Sequence, residues 1–352
     1  MSDAVVPHPI EPSAVPARAG VGWVRRAIDS DIFYSFSRSR LTMVAAAITL
    51  LFFLLAIFAS VLAVQNPFDP AQLQLMNSRI SPLWTADGQS PFLLGTDEQG
   101  RDVFSAILYG LRISLVVGIL GVILAGAIGI TLGLIAGYLG GAVDGLIMRI
   151  ADVQLTFPAI LTALLVNGVA KSVFGNRLDA MSTLTVLVIA IGLSFWVQYA
   201  RTVRGSVMVE KNKDYVAAAQ LIGLPAPIIM LRHVLPNTMG PILVIATINL
   251  ALAIITEATL SFLGSGMPDT MPSLGTLIRI GNNYLFAGEW WIVAFPGFAL
   301  AGLILSINLL GDWLRDALNP KLNDHSRPFR AQSRGGVSHP PQRLARHQRN
   351  LL

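Results

Sequence analysis

Long runs of apolar, uncharged residues constrain the fold of this chain more than any other feature of its sequence. An α-helix needs about 20 apolar residues to cross the hydrocarbon core of a bilayer, and it satisfies its own backbone hydrogen bonds while doing so. We therefore predict an all-α polytopic membrane protein with six transmembrane helices. The third is the shortest, and we expect it to begin early enough to carry Arg149 and Asp152 in its first turns. The six runs are 41–64, 113–143, 153–170, 180–200, 234–256 and 290–311.

The composition supports a membrane location and excludes several classes of enzyme. Only 13% of the 352 residues are charged, against about a quarter in soluble domains. Cysteine is absent, which excludes disulfides and thiolate metal sites. The sequence also lacks the Gly-x4-Gly-Lys-Ser/Thr phosphate loop and the His-Glu-x2-His and Gly-x-Ser-x-Gly motifs, which accompany hydrolysis of ATP or other substrates. We therefore predict no catalytic residue, no metal site and no cofactor.

Basic residues lie mainly at the ends of the apolar runs. The formal net charge is +5. Because Lys and Arg are enriched on cytoplasmic loops of membrane proteins, this distribution indicates topology and does not predict binding of nucleic acid. Placing the N-terminus inside puts most of the 25 Lys and Arg residues in the cytoplasm. We therefore predict a multi-pass membrane protein with both termini in the cytoplasm.

A polar-flanked segment between the fourth and fifth runs has the pattern of two short helices in water. Asp214 is suited to start the first helix, the alanines at 217–219 keep one face flat, and Gly223 is suited to end it. This is the pattern of a surface element that fits a groove on another protein. The prolines that begin and end the second helix are, in order, Pro225, Pro227 and Pro236.

The same segment resembles the cytoplasmic coupling loop of permease subunits in bacterial ATP-binding-cassette importers. In that family the loop reads Glu-Ala-Ala, three residues, Gly, nine residues, Ile-x-Leu-Pro. Ala217 replaces the Glu and His233 replaces the Ile, which removes any argument from a Glu salt bridge but leaves the helical geometry intact. The residues in register are Ala217, Ala218, Ala219, Gly223, Leu235 and Pro236.

Three further segments are similar to landmarks of one branch of these importers. They read Leu-Gly-Thr-Asp-Glu-Gln-Gly-Arg-Asp at 94–102, Glu-Ala-Thr-Leu-Ser-Phe-Leu-Gly at 257–264, and Asn-Leu-Leu-Gly-Asp-Trp-Leu-Arg-Asp-Ala-Leu-Asn-Pro at 308–320. With the coupling loop they make four matches in family order, and the likeness extends from about residue 33 to about residue 322. On these residues the chain resembles a C-type permease of the dipeptide, oligopeptide and nickel branch.

The resemblance implies a type I importer permease (MetI-like) fold and a definite function. The chain would be the transmembrane permease subunit of an ATP-driven, binding-protein-dependent importer of di- or oligopeptides in the bacterial inner membrane. The implied partners are a second related permease, two ATPase subunits, an extracytoplasmic solute-binding protein and membrane lipid. The alternatives are import of nickel or another small polar solute, a non-transporting scaffold, and an ion-gradient-driven secondary transporter in which Asp152 and Glu257 carry protons.

The apolar runs, the charges and the coupling loop together predict a division of the chain. Residues 1–40 form a cytoplasmic tail, in which 23–36 fit either an interfacial helix or a solvated linker. Residues 41–64 form the first span and 65–112 an extracytoplasmic loop. Residues 113–318 form a permease core with five spans and the coupling loop at 201–239. Residues 319–352 form a basic cytoplasmic tail that is attracted to anionic lipid.

The predicted site residues lie mostly in the coupling loop. We expect Tyr215, Ala218, Ala219 and Ile222 to share the face that enters a cleft of the ATPase. The full set predicted for coupling is Asp214, Tyr215, Ala217, Ala218, Ala219, Ile222, Gly223, Leu235 and Pro236.

Three other polar groups call for an interpretation. Glu257 lies in or near the fifth span and should face the bundle interior; a structural hydrogen bond is favoured there over a place on the translocation path. Arg149 and Asp152 fit a local ion pair better than a proton relay. The segment 96–98 is suited to cap a helix that continues through 103–109, and its place in the outer loop also permits contact with the solute-binding protein.

Overall fold

The computed structural model describes residues 36–174 and 179–318, and within them the secondary structure is helical, with one isolated β-bridge between Thr96 and Asp102. Short 3-10 turns lie at Pro70–Gln72, Leu75–Asn77 and Leu285–Ala287, and one π-helical turn lies at Ile229–Val234. The α-helices are α1 (Arg40–Ile57), α2 (Ala59–Leu62), α3 (Val103–Leu139), α4 (Gly141–Leu155), α5 (Ala159–Phe174), α6 (Ala180–Glu210), α7 (Asp214–Leu221), α8 (Ala226–Ile228), α9 (Leu235–Asn237), α10 (Met239–Phe262), α11 (Leu274–Asn282) and α12 (Trp291–Ala317).

Membrane-spanning length and hydropathy are reached by five of these helices, which confirms a polytopic all-α fold. They are α1, α3, α6, α10 and α12. The predicted third span is broken: α4 and α5 meet at an angle of 91° across residues 156–158, and they make a sixth span only when counted together. Pro158 explains the break, because proline disfavours helical conformation in the residue before it and has no N–H to donate. The predicted interfacial helix, except for its last residue, and the predicted basic tail lie outside the described residues.

The start of α3 also differs from the prediction. Asp102 caps this helix, with its Oδ2 atom accepting hydrogen bonds from the backbone N–H (2.8 Å) and hydroxyl (2.6 Å) of Ser105. The prediction that residues 96–98 provide the cap was therefore wrong, because the chain turns at Gly100 before the helix begins. Asp97 serves another purpose and accepts a hydrogen bond from Arg101.

The core of the bundle is the contact between α3 and α6. Glycines of α3 lie directly against the α6 backbone: a Cβ atom on Gly129 would lie 2.3 Å from the carbonyl oxygen of Trp196, and one on Gly133 would lie 2.6 Å from that of Ala200. Small residues let helix axes approach closely, which is the main source of packing energy between helices in lipid. The absence of side chains at these two positions therefore sets the distance between the two longest helices.

The remaining spans pack around this pair to different degrees. Apolar residues of α10, α11 and α12 form a second buried cluster with the first half of α3, including Ile254, Leu277 and Leu303. Only 17% of the apolar stretch of α1 is buried within the chain, against 50% for α3 and α6. The first span is therefore peripheral, and most of its surface is free to face lipid or another subunit.

The loops fall on two opposite ends of the bundle. Residues 65–102 and 263–290 meet at one end, which we call the long-loop face, where Arg101 Nη1 donates to the carbonyl oxygen of Asp269 (3.0 Å). The far end of α5 is fastened to the same face, since Asn167 and Lys171 donate to the carbonyl oxygens of Ser265 and Gly264. Residues 211–238 lie at the other end, the connector face.

The close approach of α3 and α6 makes a prediction about single methyl groups. Gly129→Ala places a Cβ where the α6 backbone lies, so we expect it to destabilise the folded chain by about 1–3 kcal/mol, as overpacking does. Thermal unfolding of the purified protein in detergent measures this loss. Gly145→Ala in α4 is the matched control, because a Cβ there meets nothing within 4 Å and alanine favours helix. Equal stability of the two variants would contradict the packing.

Candidate functional site

The connector face carries the short helix that the sequence predicts. α7 begins at Asp214, whose carboxylate lies in the first turn where the helix dipole favours negative charge. It ends in a Schellman motif, in which Leu224 N–H donates to the carbonyl oxygen of Ala219 (3.1 Å) and Gly223 N–H to that of Gln220 (2.9 Å). Gly223 has φ +82°, a left-handed conformation that favours glycine. The predicted start and end of this helix are confirmed.

The second half of the connector is helical for longer than predicted. Pro225 caps α8 and Pro227 lies in its first turn, as expected. The chain then passes through a π-helical turn into α9, which includes Pro236 and ends at Asn237. Thr238 caps it, and its hydroxyl donates to the carbonyl oxygen of Leu235 (2.9 Å). The prediction that Pro236 ends the helix was wrong, because proline is tolerated in the first turn of a helix, which is the place it has in α9.

A hydrogen-bond network holds α7 against the ends of two spans. The Tyr215 hydroxyl donates to Glu210 Oε2 at the end of α6 (2.7 Å) and accepts from Asn237 in α9 (3.2 Å). Burial, together with the neighbouring Glu210 carboxylate, raises the pKa of Tyr215, so its hydroxyl stays protonated and able to donate at neutral pH. Lys213 also bonds to Glu210 (2.7 Å). The connector is thereby fixed to α6 and to the start of α10.

Contacts with α3 fix the connector on its other side. Lys211 Nζ donates to the carbonyl oxygen of Gly137 (2.8 Å), and Gln220 donates to the Tyr138 hydroxyl (3.2 Å). Both acceptors lie in the last turn of α3. The connector therefore contacts the ends of the two helices that form the core of the bundle.

Ion pairs fasten α4 to the same end of α6. Arg204 pairs with Asp144, and Arg201 pairs with Asp152. The sequence predicts a local pair between Arg149 and Asp152, but the structure pairs Asp152 with Arg201 instead. The long α6 helix brings Arg201 beside α4, a tertiary contact that spacing along the chain does not reveal. The interpretation of Asp152 as one half of a structural ion pair is supported, but its partner is Arg201 and not Arg149.

The exposed face of the connector differs in part from the predicted one. Ala218 and Ile222 lie on it as expected, and Ile222 is 78% exposed. Tyr215 and Ala219 turn inward, since Tyr215 is bonded to Glu210 and Ala219 is buried. Leu221 is 89% exposed and lies on this face, although it is not among the predicted coupling residues. Its spacing from Ala218 and its apolar character could have indicated it. The other predicted residues that reach solvent are Asp214, Ala217, Gly223 and Pro236, while Leu235 is half-buried.

Glu257 occupies a closed, fully hydrogen-bonded site in α10. Its side chain is buried, with Oε2 accepting from Ser114 of α3 (2.8 Å) and Oε1 from Ser261 one turn along (2.7 Å). The two hydroxyls accept in turn from the backbone N–H groups of Leu274 (3.3 Å) and Met267 (3.1 Å). One carboxylate thus joins α3, α10 and the chain that leads into α11. This geometry favours the bracing role over a place on the translocation path.

The segment at 94–102 forms a second buried polar site, on the long-loop face. Asp97 Oδ1 accepts from the backbone N–H of Arg101 (2.9 Å), and Oδ2 pairs with the Arg101 guanidinium (2.5 Å). Arg101 is 1% exposed, and its guanidinium also donates a hydrogen bond to the carbonyl oxygen of Asp269. Thr96 bonds through its hydroxyl to Ile80 (2.8 Å). These residues hold the loop 65–102 against the chain after α10, which is a structural role.

The sequence of the chain matches a known family of transport proteins. The family described as binding-protein-dependent transport system inner membrane component matches residues 129–324, more than half of the chain. The chain belongs to this family. The N-terminal TM domain of oligopeptide transport permease C matches residues 30–82, a range that includes the peripheral span α1.

Individual known proteins are similar to this chain over most of their length. The dipeptide transport system permease protein DppC of Haemophilus influenzae is 37% identical over 293 residues, which are 83% of this chain and 94% of that protein. The oligopeptide transport system permease protein OppC of Bacillus subtilis is 35% identical over 83% of this chain and 89% of that protein. A chain of the inward-facing MetNI methionine ABC transporter is 18% identical, with a TM-score of 0.45, and the match covers 60% of this chain and 94% of that one. The predicted resemblance to a C-type permease is confirmed.

The buried site around Glu257 makes a prediction about stability. Glu257→Ala leaves the Ser114 and Ser261 hydroxyls without their acceptor, so we expect a loss of about 1–3 kcal/mol in the free energy of unfolding. Thermal unfolding in detergent measures it. Thr259→Ala is the control, because the Thr259 hydroxyl bonds only within its own helix, to Ile255 (2.8 Å). A Glu257→Gln variant that is fully stable but inactive in solute uptake would instead favour a place for Glu257 on the translocation path.

Proposed function

We propose that this chain is the permease subunit of an ATP-driven, binding-protein-dependent importer of di- or oligopeptides. The observation that carries the proposal is the connector: a helix with two exposed apolar side chains, Leu221 and Ile222, fixed at its base to both core spans. Exposed apolar groups on a rigid helix are suited to a groove on another protein. Family membership supports the proposal independently.

In this proposal the connector face lies in the cytoplasm and the long-loop face lies outside. Two ATPase subunits bind the connectors of this chain and of a second, related permease, and an extracytoplasmic solute-binding protein delivers the solute to the long-loop face. The excess of Lys and Arg near the connector, including Lys211, Lys213 and Arg232, supports this orientation.

Force passes from the connector to the spans through its anchors. Closure of the ATPase pair moves α7, and because Glu210 and Gly137 are bonded to the connector, the ends of α6 and α3 move with it. The glycine contact keeps α3 and α6 together, so they move as one body. The ion pairs at Arg201 and Arg204 carry α4 along. The chain itself performs no covalent chemistry.

Peptide cargo rests on the relatives, whose names specify dipeptide and oligopeptide transport. Nickel or another small polar solute remains the alternative within the same mechanism. A secondary transporter would need Asp152 and Glu257 as proton carriers, but Asp152 is paired with Arg201 and Glu257 accepts two hydrogen bonds. These partners favour structural roles for both carboxylates.

The exposed apolar pair on the connector should be essential for coupling. Ile222→Asp or Leu221→Asp introduces a charge into the proposed ATPase groove, so we expect uptake to fall by at least tenfold, which corresponds to about 1.4 kcal/mol of docking energy. Copurification of the ATPase subunits should fall with it, while the amount of inserted protein stays unchanged. Asn212→Asp, also exposed on the connector, is the charge-matched control. Normal uptake by the Leu221 and Ile222 variants would contradict the assignment.

The energy source is tested by peptide uptake into intact cells. We expect uptake to stop when ATP is depleted and the proton gradient is kept, and to continue when a protonophore is added and ATP is kept. The reverse pattern would support the secondary transporter, and dependence on neither would support a scaffold.

A further inference from the structure

A compact knob projects from the long-loop face at residues 81–95. Its chain folds back on itself, with Leu83 N–H donating to the carbonyl oxygen of Leu93 (3.2 Å) and Gly88 N–H to that of Thr85 (3.1 Å). A Cβ on Gly88 would lie 2.4 Å from the carbonyl oxygen of Pro82, so the fold-back is tight. The knob is therefore a small body of defined shape.

The knob is fixed to the first turn of α12. The indole N–H of Trp291 donates to the carbonyl oxygen of Thr96, at the base of the knob (3.2 Å). Arg79 on the other side of the base pairs with Glu289 (3.4 Å). Two contacts from opposite sides of the base hold the knob in place beside this span.

Aromatic side chains form the contact between the knob and α12 and remain open to the outside. Trp84 of the knob meets Phe295 edge-on, with ring centroids 5.9 Å apart, and Trp290 meets the same ring at 5.7 Å. Trp84 is 58% exposed and Trp290 is 45% exposed. Leu83 and Leu93, also on the knob, are both exposed by more than 40%. Together these residues form one apolar, exposed patch.

The length of α12 gives the depth of this patch. The charged residues of α12 begin at Asp312, near its C-terminal end. The uncharged part of the helix, from Trp291 to Gly311, is roughly 31 Å long, which matches the roughly 30 Å hydrocarbon core. Trp291 therefore lies at the boundary of the core, and Phe295 lies roughly 6 Å deeper. Phe298, another turn along, is 74% exposed at a depth where the surroundings are apolar.

We infer that the knob is an interfacial anchor, whose exposed patch of Leu83, Trp84, Leu93 and Trp290 lies in the lipid headgroup and upper acyl region next to α12. Tryptophan prefers this zone because its ring is apolar and its N–H can bond to headgroups. The patch is continuous with the lipid-facing surface of α12 through Phe295 and Phe298. The long loop between α1 and α3 is thus attached to the membrane surface at its middle and does not extend freely into water.

The absence of cysteine allows a direct test. A nitroxide label is attached to Leu83→Cys, which keeps Trp84 intact, in the complex purified with its copurifying subunits and reconstituted in nanodiscs of phosphatidylethanolamine and phosphatidylglycerol. Accessibility to oxygen, which concentrates in lipid, is compared with accessibility to a water-soluble nickel chelate. Asp87→Cys, a charged and exposed position on the same knob, is the aqueous control, and Phe298→Cys is the lipid control.

We expect the ratio of oxygen to nickel accessibility at Leu83 to approach that of Phe298 and to exceed that of Asp87 several-fold. A label at Leu93→Cys should give the same result. Equal ratios at Leu83 and Asp87 would place the patch in water and overturn the inference. Low accessibility to both reagents at Leu83 would also overturn it, because the patch would then be covered by another protein.

Discussion

The close contact between α3 and α6 is the constraint on which the rest of the structure depends. In lipid, helices gain little from burying apolar surface, so association depends on how closely their backbones approach. Gly129 and Gly133 allow the α6 backbone to come within the space that a methyl group would fill. Because these helices are also the longest in the described part of the chain, their contact defines a rigid central pair to which the other spans, both loop faces and the connector are attached.

Buried polar groups decide how the shorter elements attach to that pair. Glu257 bonds to Ser114 on α3, and Arg101, just before α3, bonds to Asp97 and to the chain after α10. Burying a polar or charged group is costly unless it is hydrogen-bonded, so these bonds favour the arrangement of the chain in which they form. These two sites therefore help to fix the register of the loops on the long-loop face, together with apolar residues such as Met267.

Sequence patterns predicted the features that depend on local chemistry. The apolar runs predicted five spans that are single helices and Gly223 predicted the end of α7, because hydropathy and a left-handed backbone conformation are properties of single positions or short windows. The inward turn of Tyr215 and the exposure of Leu221 could not be predicted in the same way. They depend on Glu210 and Asn237, which come close to Tyr215 only after α6 and α9 have packed. The ion pair between Asp152 and Arg201 could not be predicted for the same reason, because it forms only when α4 and α6 pack together.

The bend between α4 and α5 has a consequence for how the bundle can move. α4 is tied to α6 near the connector by Arg201 and Arg204, while α5 is tied to the long-loop face through Asn167 and Lys171. The two arms are thus held at opposite ends of the bundle, and the corner at Pro158 lies between them. An unbroken helix would join the two faces as one rod, whereas the corner at Pro158 leaves each arm held by the contacts at its own face.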